Sequence, residues 1–299
     1  MLNPLKNYLS SRFWLPLTCA MVLVGCATGP HAAAAKQLKK SLVFHAGFDG
    51  TTDASFGAGD RRLQVGVQWG KPRTVAPGLP PGNTVHLAPG QGRFGDALQF
   101  EKKIKELVCY PAEGNIAYQT QNWSGTVSYW LKVNPEKDLA PGYCDTIQIT
   151  PKDWNDASFF TEFTPDDKPR HFRLGMYADL PVWNPKNRDW EKMPMSEKPL
   201  IVVERPPFGG DRWTHVVITW DRFNTGQANG IARLYLNGQL AGQMAGWTQT
   251  YTWNLRETRI MLGLSYTGLM DDLSIFNRAL SAEEVGTLNR LPRGVAGLH

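Results

Sequence analysis

Cysteine is scarce, charge of either sign is never in large excess, and long apolar runs are confined to one end of the chain. The 299 residues include four cysteines, at positions 19, 26, 109 and 144, with no CxxC spacing and no nearby histidine or acid at metal-ligand spacing. A zinc cluster or a catalytic dithiol is therefore excluded as a theme. No nucleic acid partner is expected, since the charge is too weak to argue for one: the formal net charge is +5, and it falls to +3 if Lys6 and Arg12 leave with an N-terminal leader. The basic runs "EKKIK" (101–105) and "KPRHFR" (168–173) are broken by apolar residues, as solvated strand faces are. Neither G-x-S-x-G nor H-E-x-x-H occurs, so the common serine-hydrolase and zinc-protease signatures are missing. Past residue 25 nothing approaches the roughly 20 apolar residues a spanning helix needs.

What is present begins with the leader. Lys6 and Arg12 precede an acid-free apolar run from Phe13 to Val24, the composition of a secretory signal peptide over residues 1–25. The run ends in "LVGC" (23–26), which resembles the lipobox at which bacterial lipoproteins are cleaved and acylated, with Cys26 as the lipidated residue. The alternative is a soluble secreted protein with an incidental cysteine. No aspartate follows Cys26, which resembles outer-membrane sorting, so the expected location is the bacterial cell envelope, lipid-anchored. Residues 26–40 then serve as a tether. Cys109 and Cys144 remain in the folded region, where an oxidising compartment would permit a bridge; burial as two separate thiols is the equal alternative.

From Ser41 onward short strands alternate with turns. "SLVFHAGF" (41–48), "GTVSYWLKV" (125–133), "DTIQIT" (145–150), "HFRLGMY" (171–177), "LIVVE" (200–204), "WTHVVITWD" (213–221), "IARLYLNG" (231–238) and "RIMLGL" (259–264) are rich in β-branched and aromatic residues and bounded by Gly, Pro, Asn or Asp. In 125–133, Val127, Tyr129, Leu131 and Val133 share one face, the face expected to enter a core. Asn237-Gly238 predicts a type I′ hairpin turn, which needs positive φ at both positions. One short C-terminal helix is predicted after Leu280, where Ser281 and Glu284 form a capping box. The pattern predicts an all-β, two-sheet antiparallel jelly-roll sandwich as one domain over 41–290, followed by a tail, 291–299.

"GRFGDALQF" (92–100), "NWSGTVSYWLKV" (122–133), "RWTHVVITWD" (212–221), "GIARLYLNGQLAG" (230–242) and "GLMDDLSIFNRALSAEEV" (268–285) resemble, in order and spacing, the LamG-like (laminin G-like) domain of the concanavalin A-like lectin/glucanase superfamily. The resemblance implies two stacked antiparallel sheets, the first and last strands side by side, and a sheet face that often binds sugar. It leaves function open, since this fold hosts lectins, adhesion modules, glycosidases and structural domains. The stretch 134–212 is longer than the compact form of the family and reads as an insertion.

In the last strand, alternation sets Asp271 with Leu273 and Ile275, so one carboxylate points with the apolar residues and needs compensation. Asp49 becomes its neighbour if the terminal strands pair as the resemblance implies. Structural calcium held by Asp49 and Asp271 is one reading; in the other, Asp271 accepts backbone N–H bonds and Asp49 is an exposed turn residue.

Laminarinase-like relatives carry their catalytic acids in an E-x-D-x-(x)-E strand, which is missing here; Glu162 and Asp166 in "TEFTPDD" are separated by Pro165, and alternation cannot aim both at one sugar. His45 and His215 lack an acid or nucleophile at a telling spacing and read as structural histidines. Binding remains. Of eleven tryptophans, Trp123, Trp213 and Trp220 belong to scaffold strands, whereas Trp154, Trp183 and Trp190 lie among loop residues with Asn155, Asn184 and Asn187. Trp154, Trp183, Trp190, Asn155 and Asn187 are the candidate ligand-binding residues, unless the rings only pin the insertion to the sandwich. The expected function is a non-catalytic carbohydrate-binding or adhesion module for a polysaccharide or glycoconjugate, held at a membrane by its lipid. The alternatives are a glycoside-active enzyme with a non-standard pair and an envelope protein recognising another protein.

Overall fold

The computed structural model describes residues 30–70 and 74–299, so the leader, Cys26 and the first residues of the expected tether lie outside the described residues. Among the described residues the strands run β1 (Leu42–Ala46), β2 (Phe56–Gly57), β3 (Gln64–Gly66), β4 (Val75–Pro77), β5 (Val85–Ala88) and β6 (Ala97–Phe100). They continue with β7 (Leu107–Pro111), β8 (Trp123–Lys132), β9 (Cys144–Thr150), β10 (Ser158–Phe163), β11 (Phe172–Tyr177) and β12 (Leu200–Val203). The last are β13 (Thr214–Phe223), β14 (Gly230–Leu236), β15 (Gln239–Trp247), β16 (Arg259–Leu264) and β17 (Gly268–Phe276). Three helices accompany them: α1 (Pro30–Ser41), α2 (Leu180–Trp183) and α3 (Ala282–Asn289).

These strands form the predicted two-sheet antiparallel jelly-roll sandwich. The first sheet has the order β15-β14-β13-β8-β17-β1-β2, with β6 also on β17 and β5 on β6; the second has the order β12-β11-β10-β9-β16-β7-β3-β4. The first and last strands are neighbours, with Ala46 opposite Leu273 and His45 opposite Ser274. Val127, Tyr129, Leu131 and Val133 enter the core between the sheets, as their alternation requires. Trp123 and Trp220 sit in the same core with ring centroids 5.1 Å apart. Asn237 and Gly238 have φ of 52° and 80° and turn β14 directly into β15. The Ser281/Glu284 capping box is formed in both directions and starts α3.

Three expectations change. The expected tether is helical from Pro30, and Leu38 at its C-terminal end is fully buried. Ala34, Leu38 and Leu42 recur every fourth residue, and the latter two join Val217, Tyr235, Phe276, Val285 and Leu288 in a second apolar cluster on the outer side of the first sheet. The expected tail joins it too, since Val295 and Leu298 are buried there. Within 134–212 the strands predicted at 145–150, 171–177 and 200–204 form, joined by β10, and β9 to β12 supply half of the second sheet.

The third change concerns sulfur. Cys109 and Cys144 are both buried and unbridged. They lie on β7 and β9 with β16 between them, Met261 facing both Cys109 and Gln148. Two strand spacings of about 4.8 Å exceed the reach of a disulfide. Cys144 Sγ instead donates to the Ala140 carbonyl at 3.5 Å and lies 3.6 Å from Arg170 Nη1, while burial pushes its thiol pKa up.

Candidate functional site

Side chains on the second sheet alternate between the core and its outer face. On β10, Phe159, Thr161 and Phe163 turn inward, leaving Phe160 and Glu162 outside. On β9, Gln148 faces outward, and strict alternation from it would hide Asp145. A β-bulge prevents this: Thr161 pairs with Ile147 and Glu162 with Asp145, so Thr146 is the extra residue. Thr146 points inward to the Tyr129 hydroxyl, and Asp145 emerges on the outer face beside Glu162. Glycine at 175 is required opposite Phe160, because a Cβ there would lie 2.4 Å from that ring.

A groove of about 370 Å³ lies over this face, within the usual size of a small-ligand site. Its aromatic lining is Trp69, Tyr143, Trp154, Phe160 and Trp190; its polar lining includes Asp145, Gln148, Glu162, Arg173 and Glu191. Trp69, Tyr143 and Trp154 are 49%, 46% and 42% exposed, so their rings are offered to solvent.

The loops are built to hold these rings. Lys152 Nζ lies 3.3 Å from Asp156 and 2.6 Å from Asp179, tying the turn that carries Trp154 to the start of α2. Trp190 opens a short 3₁₀ turn capped by Asp189, whose side chain accepts from the Glu191 N–H. Trp154 and Trp190 meet edge to face at 5.4 Å, and the Lys198 ammonium covers the Trp190 ring at 4.1 Å.

The polar floor is one row across three strands, Arg173, Glu162 and Asp145. Arg173 Nε donates to Glu162 Oε1 at 3.0 Å and Nη2 donates to the same oxygen, while the guanidinium stacks over Tyr143 at 4.9 Å. Burial raises the Glu162 pKa, with Arg173 working against it. Burial also opposes the charge on Arg173, but Glu162 outweighs it and the guanidinium pKa rises. The half-buried Asp145 has its pKa raised well above the ordinary value, first by desolvation and then by the Glu162 charge.

The expected binding residues divide. Trp154 and Trp190 line the groove. Trp183 does not: it is 8% exposed, its Nε1 donates to the Asn155 carbonyl at 2.8 Å, and it meets Tyr177 edge-on at 4.9 Å. It pins the long segment to the sandwich. Asn155 contributes that carbonyl rather than a groove amide, and Asn187, with φ of 45°, closes a turn by donating its N–H to the Asn184 carbonyl. Trp69, Tyr143, Asp145 and Arg173 escaped sequence reasoning, and Glu162 entered it only beside Asp166; the available signal was a charged residue next to the end of an apolar strand in β9, β10 and β11.

Asp49 and Asp271 flank one turn from two sides. Asp49 is exposed and its Oδ1 accepts the Asp96 N–H at 2.9 Å. Asp271 is fully buried; its Oδ2 accepts the Phe94 N–H at 3.0 Å and its Oδ1 the Asp272 N–H at 2.7 Å. Desolvation raises the Asp271 pKa to about 7; the Phe94 N–H opposes this and the Asp272 charge adds to it. Calcium takes six to eight oxygens, whereas both oxygens of Asp271 meet N–H donors, and no group of three or more His, Cys, Asp or Glu side chains is placed to hold a metal among the described residues. Each oxygen of Asp271 accepts a backbone N–H, the arrangement of the backbone-acceptor reading.

Both histidines sit in polar contacts. His45 Nε2 is 2.8 Å from Asp272 Oδ1. His215 stacks on Trp130 at 4.5 Å with Nε2 2.8 Å from Ser128 Oγ, and burial pushes its pKa down to about 3, so the ring is neutral.

Comparison with known proteins agrees with this architecture. Among solved structures, the chain is similar to domain 4 of AbnA, a GH43 extracellular arabinanase from Geobacillus stearothermophilus, in complex with arabinotriose: 19% identity, TM-score 0.53, covering 84% of this chain and 98% of that one. It is also similar to the botulinum neurotoxin serotype D ligand binding domain in complex with N-acetylneuraminic acid, at 12% identity and TM-score 0.53, covering 86% of this chain and 52% of that one. The binding domain of Paraclostridial mosquitocidal protein 1 matches at 15% identity and TM-score 0.51, covering 85% and 52%. This chain thus spans about half the length of the two toxin domains. At these identities the likeness establishes the fold. A search of curated proteins gave no match. The Laminin_G_3 family model, described as concanavalin A-like lectin/glucanases superfamily, matches residues 111–286. With more than half of its length matched, the chain belongs to that family.

Proposed function

We propose that this protein is a carbohydrate-binding protein of the bacterial cell envelope, exported and lipid-anchored through Cys26, which takes a neutral oligosaccharide segment in the groove on its second sheet. One observation carries the reading: exposed rings of Trp69, Tyr143 and Trp154, with Trp190, surround a row of hydrogen-bonding side chains in one groove. Aromatic faces pack against the C–H faces of sugar rings, and carboxyl, amide and guanidinium groups take the hydroxyls. Three carboxyl groups against one guanidinium in the lining disfavour sialic or uronic acids. The arabinotriose complex of the similar arabinanase domain accords with a neutral sugar on this scaffold. The anchor rests on the "LVGC" motif, with the outer membrane as destination because no aspartate follows it.

A glycan array probed with the full chain tests the reading. Signals on neutral oligosaccharides that vanish in Trp154→Ala and Trp190→Ala support it. Binding confined to sialylated glycans, or unchanged in both variants, overturns it. Radiolabelled palmitate carried by the wild type and lost in Cys26→Ala tests the anchor separately.

A further inference from the structure

The groove carries more chemistry than binding requires. Glu162 and Asp145 are direct cross-strand partners, delivered to one face by the bulge at Thr146. Such partners have Cβ atoms about 4.5–5.5 Å apart. Carboxyl groups carried on such a pair can come to the roughly 5–5.5 Å that retaining glycosidases use, short of the roughly 6.5–9.5 Å of inverting ones. The two acids are also dissimilar. Both Arg173 bonds fall on Glu162 Oε1, which favours the ionised form of that side chain against its burial, and among the described residues no donor meets Oε2. The Asp145 side chain makes no hydrogen bond to the protein among the described residues, and it lies beside Glu162 with Arg173 beyond.

We infer that Asp145 and Glu162 are a catalytic pair that hydrolyses a glycosidic bond of the neutral glycan held between the groove tryptophans, with retention at the anomeric carbon. This rests on the binding reading above. In the first step Asp145 gives its proton to the glycosidic oxygen as the C1–O bond breaks and the aglycone leaves as an alcohol. Glu162 Oε2 bonds to C1 to give a glycosyl ester. In the second, the Asp145 carboxylate takes a proton from water, the water oxygen attacks C1, and the C1–Oε2 bond breaks. One water is consumed and both acids return to their starting states. Among the groups facing Asp145, burial and the Glu162 charge discourage its ionisation and so favour the acid role, Arg173 works against them from its pairing with Glu162, and Tyr143 and Glu191 are the other titratable groups in the lining.

The test incubates the full chain with arabinan, xylan, β-1,3-glucan and β-1,4-glucan, and reads bound polysaccharide by affinity electrophoresis and new reducing ends in parallel. A bound glycan is expected to be cut, the first anomer released matching the configuration of the bond broken by NMR. Among the described residues Asp145→Asn removes no side-chain hydrogen bond, and an amide can still meet a sugar hydroxyl, so the variant should fold as wild type and keep measurable binding while losing roughly 10²–10⁴-fold in cleavage. Glu162→Gln should lose cleavage as well; a melting curve reports any cost of its broken Arg173 pair. Binding without new reducing ends in the wild type, or undiminished cleavage in Asp145→Asn, overturns the catalytic pair and leaves the binding reading standing. Binding to none of the glycans overturns both.

Discussion

Asp272 Oδ1 accepts a hydrogen bond from His45 Nε2 at 2.8 Å, joining the first and last strands of the sandwich through side chains 227 positions apart. On the other side of the ring, Ser55 Oγ and His299 Nε2 each stand 2.9 Å from Nδ1. Asp272 also accepts the Val295 N–H, at 3.1 and 3.2 Å, so the same carboxylate holds the C-terminal segment. Breaking one side of this buried pair strands the other. Asp272→Ala leaves the buried His45 Nε2–H and Val295 N–H without their acceptor and is expected to cost about 1–3 kcal/mol for each, and part of the loss also reflects an Ala forced to a φ of 52°. Chemical denaturation measures it, and a double variant with His45→Ala should cost less than the sum of the two singles.

Asp271 makes stability depend on pH. Its carboxyl pKa is about 7 in the folded protein against 3.8 for an unperturbed aspartate. The folded state therefore holds this proton more tightly. Its contribution is complete below about pH 4 and is lost as pH rises through about 7. Urea midpoints should fall more between pH 5 and pH 8 in the wild type than in Asp271→Asn, by an amount on the order of a few kcal/mol. Equal slopes in the two proteins contradict it. Added calcium should leave the melting temperature of both unchanged, since the oxygens of Asp271 are taken by N–H donors.

The two buried cysteines should behave as thiols. Dithiothreitol is expected to leave the melting temperature unchanged, and peptide mapping without reduction should find no peptide linking Cys109 to Cys144, which sit two strands apart. Both should label only after unfolding, as their burial requires.

Tryptophans of the long segment should separate by effect. Trp183→Ala removes a nearly buried ring and its Nε1 bond, and should cost about 3–5 kcal/mol of stability. Trp154→Ala removes a ring that is 42% exposed, and should change stability by less than about 1 kcal/mol.

Features written within a few residues of each other were legible in the sequence. Alternation at Val127, Tyr129 and Leu131, the positive φ required at Asn237-Gly238, and the Ser281/Glu284 box each act locally, and each appears as expected. The α1 segment was legible only through Ala34 and Leu38 at helical spacing, a stripe thin enough to pass for a tether. The site was harder. Trp154 and Trp190 stood out as rings among loop residues, but Asp145 reaches the groove only because Thr146 is bulged, and the bulge exists only against β10. Pairing between strands, set by the whole sandwich, decides which charges share a face. For the same reason Glu162 finds its partner across the sheet in Asp145 and not four residues along the chain in Asp166.

The most direct test of the account is a calorimetric titration of the full chain with the neutral oligosaccharide that gives its strongest array signal, repeated with a Trp154→Ala/Trp190→Ala variant of unchanged melting temperature. Saturable binding by the wild type, weakened tenfold or more in the variant, about 1.4 kcal/mol, is the predicted result. Equal affinity in the two proteins would contradict the placing of the ligand between those rings.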